Sequence, residues 1–211
     1  MKNKLKKDPL LYRILLPLDK LVMSLFRVQY QGLENIPKNG AFILAGNHTS
    51  NLDPLLLMSS TNRTLHFLAK IELCRGIKKY FFSGVGIIPV DRSKTNPLAI
   101  ATSNEYLNSG SAIAIFPEAT INRTNDIIMP FKKGAVRLAS ETNSPIIPFS
   151  ITGKYKFLRK SITICFDVPY YVSGDYEKDN IELQNKVISL IRSHKWWKRN
   201  IKKATYFFVV F

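Results

Sequence analysis

The chain has 211 residues, enough for one domain with a full hydrophobic core, and its apolar, aromatic and charged fractions are those of an ordinary globular protein. Its formal net charge of +16 is far from ordinary and indicates an anionic partner, either nucleic acid or an anionic membrane surface. The two cysteines, Cys74 and Cys165, show neither metal-ligand nor redox spacing, so they indicate no chemistry.

The first 27 residues predict an amphipathic helix that lies in a membrane interface. Apolar residues recur at helical spacing over residues 10–26, with a bend expected at Pro17, while Arg13 and Lys20 lie off the apolar stripe. Such a helix would be about 25 Å long, short of the roughly 30 Å hydrocarbon core, so we do not expect it to span a membrane. The alternative is that the stripe packs on the protein's own core. A secretory signal is not expected, because the segment keeps acids and lacks a small-residue cleavage site.

A histidine follows the first strand-like run. Residues 41–46 are short, apolar and bounded by glycines, which is typical of a buried strand, and His48 comes two residues after them. In open α/β sheets ligands bind outside the carboxyl ends of the strands, and an imidazole can accept a proton there near neutral pH. His48 is therefore the candidate general base. Asp53 and Pro54 begin the next helix, and Asp53 is either a partner of His48 or only the N-cap of that helix.

Two later apolar runs also end in polar residues. Residues 87–90 lead to Arg92, whose guanidinium either forks onto a phosphate or pairs with a nearby acid. Residues 112–116 are apolar throughout, as a central parallel strand should be, and Glu118 then emerges on the same sheet edge as His48. Glu118 can orient a substrate hydroxyl, hold an arginine or only cap the next turn. The glycine pair before the first of these runs lacks the third glycine of a dinucleotide fingerprint, so nucleotide binding is not predicted.

The rest of the chain continues the alternation of helices and strands, which predicts an α/β fold in which helices surround a mixed, largely parallel sheet. Residues 196–211 mix basic side chains with tryptophan and other aromatic residues, which favours a membrane interface. Single-stranded nucleic acid and a last strand with a basic edge are the alternatives for this tail. The predicted elements before it are helices over residues 131–142 and 178–193 and strands over residues 145–152 and 161–168.

Four short blocks in this order resemble the motifs of the glycerolipid acyltransferase family, and among its members those of the 1-acyl-glycerol-3-phosphate (lysophosphatidate) acyltransferases. The resemblance spans residues about 29 to 152. Each block alone is a weak signal, whereas four in order are strong. The blocks are Asn47-His48-x-Ser50-x-x-Asp53, Gly86 to Arg92, Phe116-Pro117-Glu118-Ala119-Thr120 and Pro145-Ile146-Ile147-Pro148.

The resemblance implies a reaction and a set of site residues. Asp53 would orient the imidazole of His48, which would take the proton from an acceptor hydroxyl as that hydroxyl attacks an acyl thioester. The substrate-binding residues that it implies are Arg92, Glu118, Thr120, Arg123 and Lys70, although a solvated lysine is the better explanation for Lys70.

One block departs from the family pattern. Glycine, threonine and arginine usually follow the glutamate, whereas Ala119, Thr120 and Ile121 stand here, with Arg123 two positions later. This departure bears on how an acceptor phosphate is held.

The function expected from the resemblance is transfer of a fatty acyl group to the sn-2 hydroxyl of lysophosphatidate, giving phosphatidate. Acyl-CoA or acyl carrier protein would be the donor, without a metal or another cofactor. The protein would be peripheral on the cytoplasmic face of an anionic membrane, with no nucleic acid partner. Another acceptor (a different lysophospholipid, glycerol 3-phosphate or an amino-acid lipid) and a non-catalytic basic binding protein are the alternatives. The predicted division is a helix at residues 1–27, a domain at 28–195 and a tail at 196–211.

Overall fold

The computed structural model describes residues 9–74, 76, 78–91 and 96–208, with side chains at all of these except 78, 79 and 194–208. Helices cover both faces of a seven-stranded sheet in this part of the chain. The strands are β1 (Gln29–Gln31), β2 (Phe42–Gly46), β3 (Leu65–Lys70), β4 (Ile88–Val90), β5 (Ala112–Ile115), β6 (Ile146–Gly153) and β7 (Ile162–Phe166). The helices are α1 (Leu10–Leu25), α2 (Asp53–Ser59), α3 (Lys78–Gly84), α4 (Pro97–Asn108), α5 (Gly134–Thr142) and α6 (Tyr176–Phe208), with short 3-10 helices at Leu33–Asn35 and Ile71–Cys74.

The strand order is β1-β7-β6-β2-β5-β3-β4, and neighbouring strands are parallel apart from the antiparallel pair β6 and β7. The predicted α/β fold with a mixed, largely parallel sheet is therefore confirmed. Every residue of β2 and β5 is buried, which explains why these strands are apolar throughout and do not alternate.

Successive residues of the central strands point to opposite faces and so supply two cores. On one face, Ile43 packs in a cluster with Leu107, Val136 and Leu183 from α4, α5 and α6. On the other face, Leu44 packs in a cluster that also contains residues of α1 and α2. Both faces of the sheet are thus closed by helices, and the carboxyl ends of the parallel strands are left as the edge where polar side chains collect.

Helix α1 packs against α2 and α3, with Tyr12 and Met23 buried. The helix continues through Pro17. Its opposite side is an apolar stripe exposed to solvent, formed by Leu10, Ile14, Leu18, Leu21 and Leu25. One side of the predicted amphipathic helix thus contacts the core, and the other remains uncovered. Among the residues that the structure describes, no helix has the length and apolar character needed to cross a bilayer.

The last helix is longer than the sequence indicates. We predicted a helix over residues 178–193, whereas α6 runs from Tyr176 to Phe208. The boundary that we predicted at residue 195 therefore falls inside one continuous helix. A last strand, which was one alternative for the tail, does not form at residues 196–208, because the backbone there is helical.

Candidate active site

His48 and Asp53 form a contact at the carboxyl end of β2. His48 lies two residues beyond the last residue of β2, and Asp53 is the first residue of α2. The Nδ1 atom of His48 lies 2.9 Å from Oδ2 of Asp53. Asp53 is fully buried, whereas the His48 side chain keeps 13% of its surface exposed. With Nδ1 bonded to the carboxylate, Nε2 is the ring nitrogen that is left to act as a base.

The alternative that Asp53 is only a helix N-cap is wrong. The N-cap position is occupied by Leu52, which makes no side-chain cap, and Asp53 lies within the helix. Its carboxylate accepts hydrogen bonds from the backbone N–H groups of Thr49 (2.5 Å) and Ser50 (2.8 Å). These bonds close the loop between β2 and α2 around the carboxylate. They also compensate for the burial of its charge.

Tyr155 completes the surroundings of Asp53. Its hydroxyl donates to Oδ1 of Asp53 over 2.7 Å. Burial, and then the neighbouring Asp53 carboxylate, raises the pKa of Tyr155, so the phenol keeps its proton and remains a donor. Sequence reasoning missed this residue, because nothing in the local pattern near Tyr155 refers to a carboxylate 102 positions earlier in the chain.

Phe116, the residue after β5, fixes the plane of the imidazole. Its ring stacks on that of His48 with the centroids 4.1 Å apart and the planes 19° from parallel. Phe149 of β6 in turn meets Phe116 edge to face, at 5.9 Å. The imidazole is therefore restrained by Asp53 at one nitrogen and by an aromatic ring over its face. Such restraint favours a base that is held ready for proton transfer.

Glu118 is buried, and its carboxylate binds two backbone N–H groups near the site. One of its oxygens accepts the N–H of His48 at 2.8 Å, and the other accepts the N–H of Met129 at 2.7 Å. Burial raises the pKa of Glu118, and the two N–H donors partly offset this rise. Among the alternatives for Glu118, these bonds correspond most closely to the capping of a turn. The carboxylate thus holds the main chain of His48, the candidate general base.

Asn47 and Gly46 join the end of β2 to β6. The amide of Asn47 is buried and forms two bonds with the backbone of Ile151, donating to its carbonyl (2.9 Å) and accepting from its N–H (2.7 Å). A Cβ atom on Gly46 would lie 2.1 Å from the carbonyl oxygen of Phe149, so a side chain does not fit there. The sequence places Asn47 in the histidine block but does not indicate this structural role.

A cavity of about 950 Å³ opens beside His48, between α1, α2, α3 and the ends of β3 and β5. Its size is that of a ligand pocket, and its walls are mainly apolar. Three of the predicted substrate-binding residues, Lys70, Thr120 and Arg123, line the same cavity as His48. Apolar lining residues include Leu15, Leu18, Val22, Phe67, Leu68, Phe81, Phe82 and Ile121.

The remaining predicted residues are placed differently. Asp53 and Glu118 are buried and do not line the cavity. Lys70, on the cavity wall, forms an ion pair with Glu72 whose nitrogen and oxygen are 3.3 Å apart. Arg92 lies outside the described residues. In the described part of the chain, no three His, Cys, Asp or Glu side chains are grouped as metal ligands.

The segment after Glu118 turns sharply at Ala119, whose φ of +59° is in the left-handed region. Glycine adopts this conformation without the steric cost that a Cβ atom adds, so alanine is strained here. The turn brings the N–H of Asn122 to the carbonyl of His48, at 2.8 Å. It also leaves Arg123 on the cavity wall, where Ile121 stands as well.

The chain is similar to several proteins named 1-acyl-sn-glycerol-3-phosphate acyltransferase. One from Borreliella burgdorferi is 31% identical over 163 residues, covering 71% of this chain and 65% of the relative. One from Mycoplasma genitalium, named as probable, is 38% identical over 125 residues, covering 56% and 46%. One from Bacillus subtilis is 31% identical over 139 residues, covering 64% and 67%. The chain thus spans about half to two thirds of the length of these relatives.

The fold is that of a solved acyltransferase structure. The crystal structure of the 1-acyl-sn-glycerophosphate (LPA) acyltransferase PlsC from Thermotoga maritima superposes with a TM-score of 0.69 at 22% identity, covering 87% of this chain and 81% of that one. Residues 27–152 match the sequence model of the family described as Acyltransferase. This segment is more than half of the chain and contains the His48 and Asp53 pair, so the protein belongs to the acyltransferase family.

Proposed function

We propose that the protein transfers a fatty acyl group from a thioester donor to the sn-2 hydroxyl of lysophosphatidate, giving phosphatidate. The observation that carries the proposal is that His48, paired with the buried Asp53, lines an apolar cavity whose wall also contains Arg123. The pair supplies a base, the apolar walls suit an acyl chain, and the guanidinium suits a phosphate. The named relatives support the same acceptor.

The reaction needs one base and no covalent enzyme intermediate. Nε2 of His48 takes the proton of the acceptor hydroxyl, and the hydroxyl oxygen attacks the thioester carbonyl carbon. Asp53 stabilises the imidazolium that forms. When the tetrahedral intermediate collapses, the carbon–sulfur bond breaks, and the imidazolium returns the proton to the leaving thiolate. The His48 and Asp53 side chains are sufficient for these proton transfers, so we propose no metal or other cofactor.

The donor and the membrane fit the charge of the protein. Acyl-CoA and acyl carrier protein are both anionic, and a chain with net charge +16 attracts either of them as well as anionic lipid. The exposed stripe on α1 supports peripheral attachment, because an apolar helix face flanked by basic residues suits the lipid interface. We place the enzyme on the cytoplasmic face, where these donors are available.

Substitution of Arg123 tests whether the acceptor carries a phosphate. It lies on the cavity wall with His48, and Arg92 would add a second guanidinium to form a clamp for a phosphate monoester. A charge-assisted hydrogen bond contributes about 1.5–3 kcal/mol, so Arg123→Ala and Arg92→Ala should each lower kcat/KM for lysophosphatidate by roughly ten- to a hundredfold, mainly through KM. Lys178→Ala, an exposed lysine on α6, is the control.

Steady-state kinetics with lysophosphatidate and a neutral-headgroup analogue would measure this effect. The analogue should be used equally well by wild type and Arg123→Ala. An Arg123→Ala enzyme that keeps its preference for the phosphate would show that Arg123 does not select the acceptor. One observation favours a different acceptor: Ile121, an apolar residue, lines the cavity at the position where the resemblance described above implies an arginine. A panel of acceptors with radiolabelled acyl donors would distinguish these substrates, and no transfer to any of them would favour a non-catalytic binding protein.

A further inference from the structure

The turn between β6 and β7 exposes basic and apolar side chains together. We call residues 154–160 the 154–160 loop. Phe157 and Leu158 have 62% and 54% of their surface exposed. The four basic residues of the loop are also exposed, and none of them forms a salt bridge with a described residue. They are Lys154, Lys156, Arg159 and Lys160.

The loop contacts the end of α1 through its backbone and two of its aromatic rings. The N–H of Leu158 donates to the carbonyl of Leu25 at 2.7 Å, although Leu158 has a φ of +56°. The ring of Phe26 meets Tyr155 edge to face at 5.9 Å and Phe157 at 6.4 Å. The backbone of Leu158 and the ring of Phe157 are therefore anchored to the end of α1, and both side chains remain exposed. A fixed apolar protrusion in a basic segment is typical of a contact site.

The loop meets α1 at the end of its exposed apolar stripe. Leu25 is the last residue of that stripe, and its carbonyl oxygen is the atom that binds Leu158. The stripe and the loop are therefore adjacent, although they are far apart in the sequence. The same loop carries Tyr155, whose hydroxyl reaches Asp53. A partner that contacts both the α1 stripe and the 154–160 loop would therefore lie next to the candidate active site.

We infer that the 154–160 loop is a binding surface for anionic lipid, with Phe157 and Leu158 entering the interface and the four cations pairing with headgroup phosphates. The inference rests on the proposed function in one respect, since that function brings the enzyme to a lipid surface. Charge complementarity supports it, because anionic leaflets attract clustered Lys and Arg. The aliphatic Leu158 suits acyl chains, whereas single-stranded nucleic acid would be bound through stacking on successive aromatic rings.

Vesicle sedimentation of the full chain tests the surface, with phosphatidylcholine vesicles prepared with and without phosphatidylglycerol. Each basic residue near an anionic surface contributes about 1 kcal/mol, so Arg159→Gln/Lys160→Gln should weaken binding to the anionic vesicles about thirtyfold at low salt. Phe157→Ser/Leu158→Ser should weaken it at least about tenfold. Melting temperatures of all variants would verify that they fold.

Two double variants serve as matched controls. Val168 and Tyr171 are 56% and 64% exposed on the loop after β7, and Val168→Ser/Tyr171→Ser should bind like the wild type. Lys132→Gln/Lys178→Gln removes two exposed cations elsewhere and should change binding about twofold or less. Folded loop variants that bind anionic vesicles like the wild type would overturn the inference. So would loop variants that lose binding to single-stranded RNA and keep lipid binding.

A second assay separates this inference from the proposed function. Acyl transfer to a short-chain, water-soluble lysophosphatidate, without vesicles, should be the same in wild type and in Arg159→Gln/Lys160→Gln. If the wild type transfers no acyl group while the loop variants lose vesicle binding, the lipid surface stands and the proposed function fails. If transfer occurs and the loop variants bind vesicles normally, the proposed function stands and the lipid surface is wrong.

Discussion

The hydroxyl of Tyr155 donates a hydrogen bond of 2.7 Å to Asp53. Unlike His48 and Thr49, the other side chains bonded to this carboxylate, Tyr155 lies outside the loop between β2 and α2. The other donors to Asp53 lie within five residues of it. The bond thus connects the candidate catalytic pair to the turn after β6. It also gives the pair a fixed position relative to the sheet.

Removal of that hydroxyl should slow turnover. We expect Tyr155→Phe to lower kcat by about tenfold with little change in KM, because the phenol orients Asp53 and does not line the cavity. The fold should remain, since Asp53 keeps its backbone donors. Tyr30→Phe is the control, because it removes a half-buried hydroxyl that pairs with Ser59 at 2.7 Å. A Tyr155→Phe enzyme with wild-type kcat would show that the bond has no catalytic role.

His48→Ala should abolish acyl transfer without unfolding the protein. Loss of a general base costs about 10²–10⁴ in rate, and the fold should remain because Asp53 keeps the backbone N–H donors of Thr49 and Ser50. Asp53→Asn should reduce both rate and stability, because an amide cannot accept the N–H groups of Thr49 and Ser50 together with the His48 hydrogen. Activity and melting temperature should be measured on the same sample. Wild-type turnover in folded His48→Ala would disprove the mechanism.

Asp19 should make the protein less stable as the pH rises. This residue of α1 is buried, and its carboxylate oxygens have no hydrogen-bond partner among the described residues. Burial raises the pKa of Asp19 from 3.8 to about 7, and Lys20 offsets part of this rise. The folded state therefore keeps a proton that the unfolded state has already lost. The stability that this proton provides is complete below about pH 4 and is lost as the pH rises to about 7.

Urea denaturation at several pH values would measure the effect. One pKa unit corresponds to about 1.4 kcal/mol, so the free energy of unfolding should fall by more than about 1 kcal/mol between the acidic and neutral ends of this range. Asp19→Asn should flatten most of the decline, and Glu118, whose pKa is also raised by burial, should account for a remaining slope. Glu34→Gln, at an exposed acid, is the control. An unchanged slope in Asp19→Asn would contradict this explanation.

Ala119→Gly should stabilise the protein. A non-glycine residue in the left-handed region costs roughly 1–2 kcal/mol, and glycine avoids this cost. Glycine loses about 0.5–1 kcal/mol more chain entropy on folding than alanine, so the net stabilisation should be about 0.5–1 kcal/mol. Ala101→Gly, at an exposed position of α4, should instead destabilise by about 1 kcal/mol. Thermal unfolding of both variants would compare them. Destabilisation by Ala119→Gly would mean that the Ala119 methyl group packs usefully.

Local pattern was enough to predict the fold class and to place His48 at a strand end. Buried parallel strands are apolar throughout and end at one edge, so the residues after β2 and β5 could be assigned to the same place. The contact between His48 and Asp53 spans five residues and lies within one block. Contacts between residues that are this close in the sequence can be predicted from local pattern.

Features that depend on distant contacts were not predictable in this way. Tyr155 reaches Asp53 and Asn47 holds Ile151 only because β6 lies beside β2 in the sheet, which no local pattern encodes. The bonds of Glu118 to the backbone of His48 likewise depend on the neighbouring positions of β2 and β5. The length of α6 was underestimated, because a helix rich in basic residues continues past the point where its apolar periodicity ends.

The antiparallel direction of β7 has a consequence for what can regulate the site. A parallel successor to β6 would require a long crossover that leaves the carboxyl edge of the sheet and returns at the opposite edge. Because β7 instead runs back along β6, the chain turns at the edge where His48 lies. This antiparallel turn therefore keeps a short hairpin beside the His48 and Asp53 pair. Changes in the length or charge of that hairpin would adjust the environment of the reaction without altering any strand of the core.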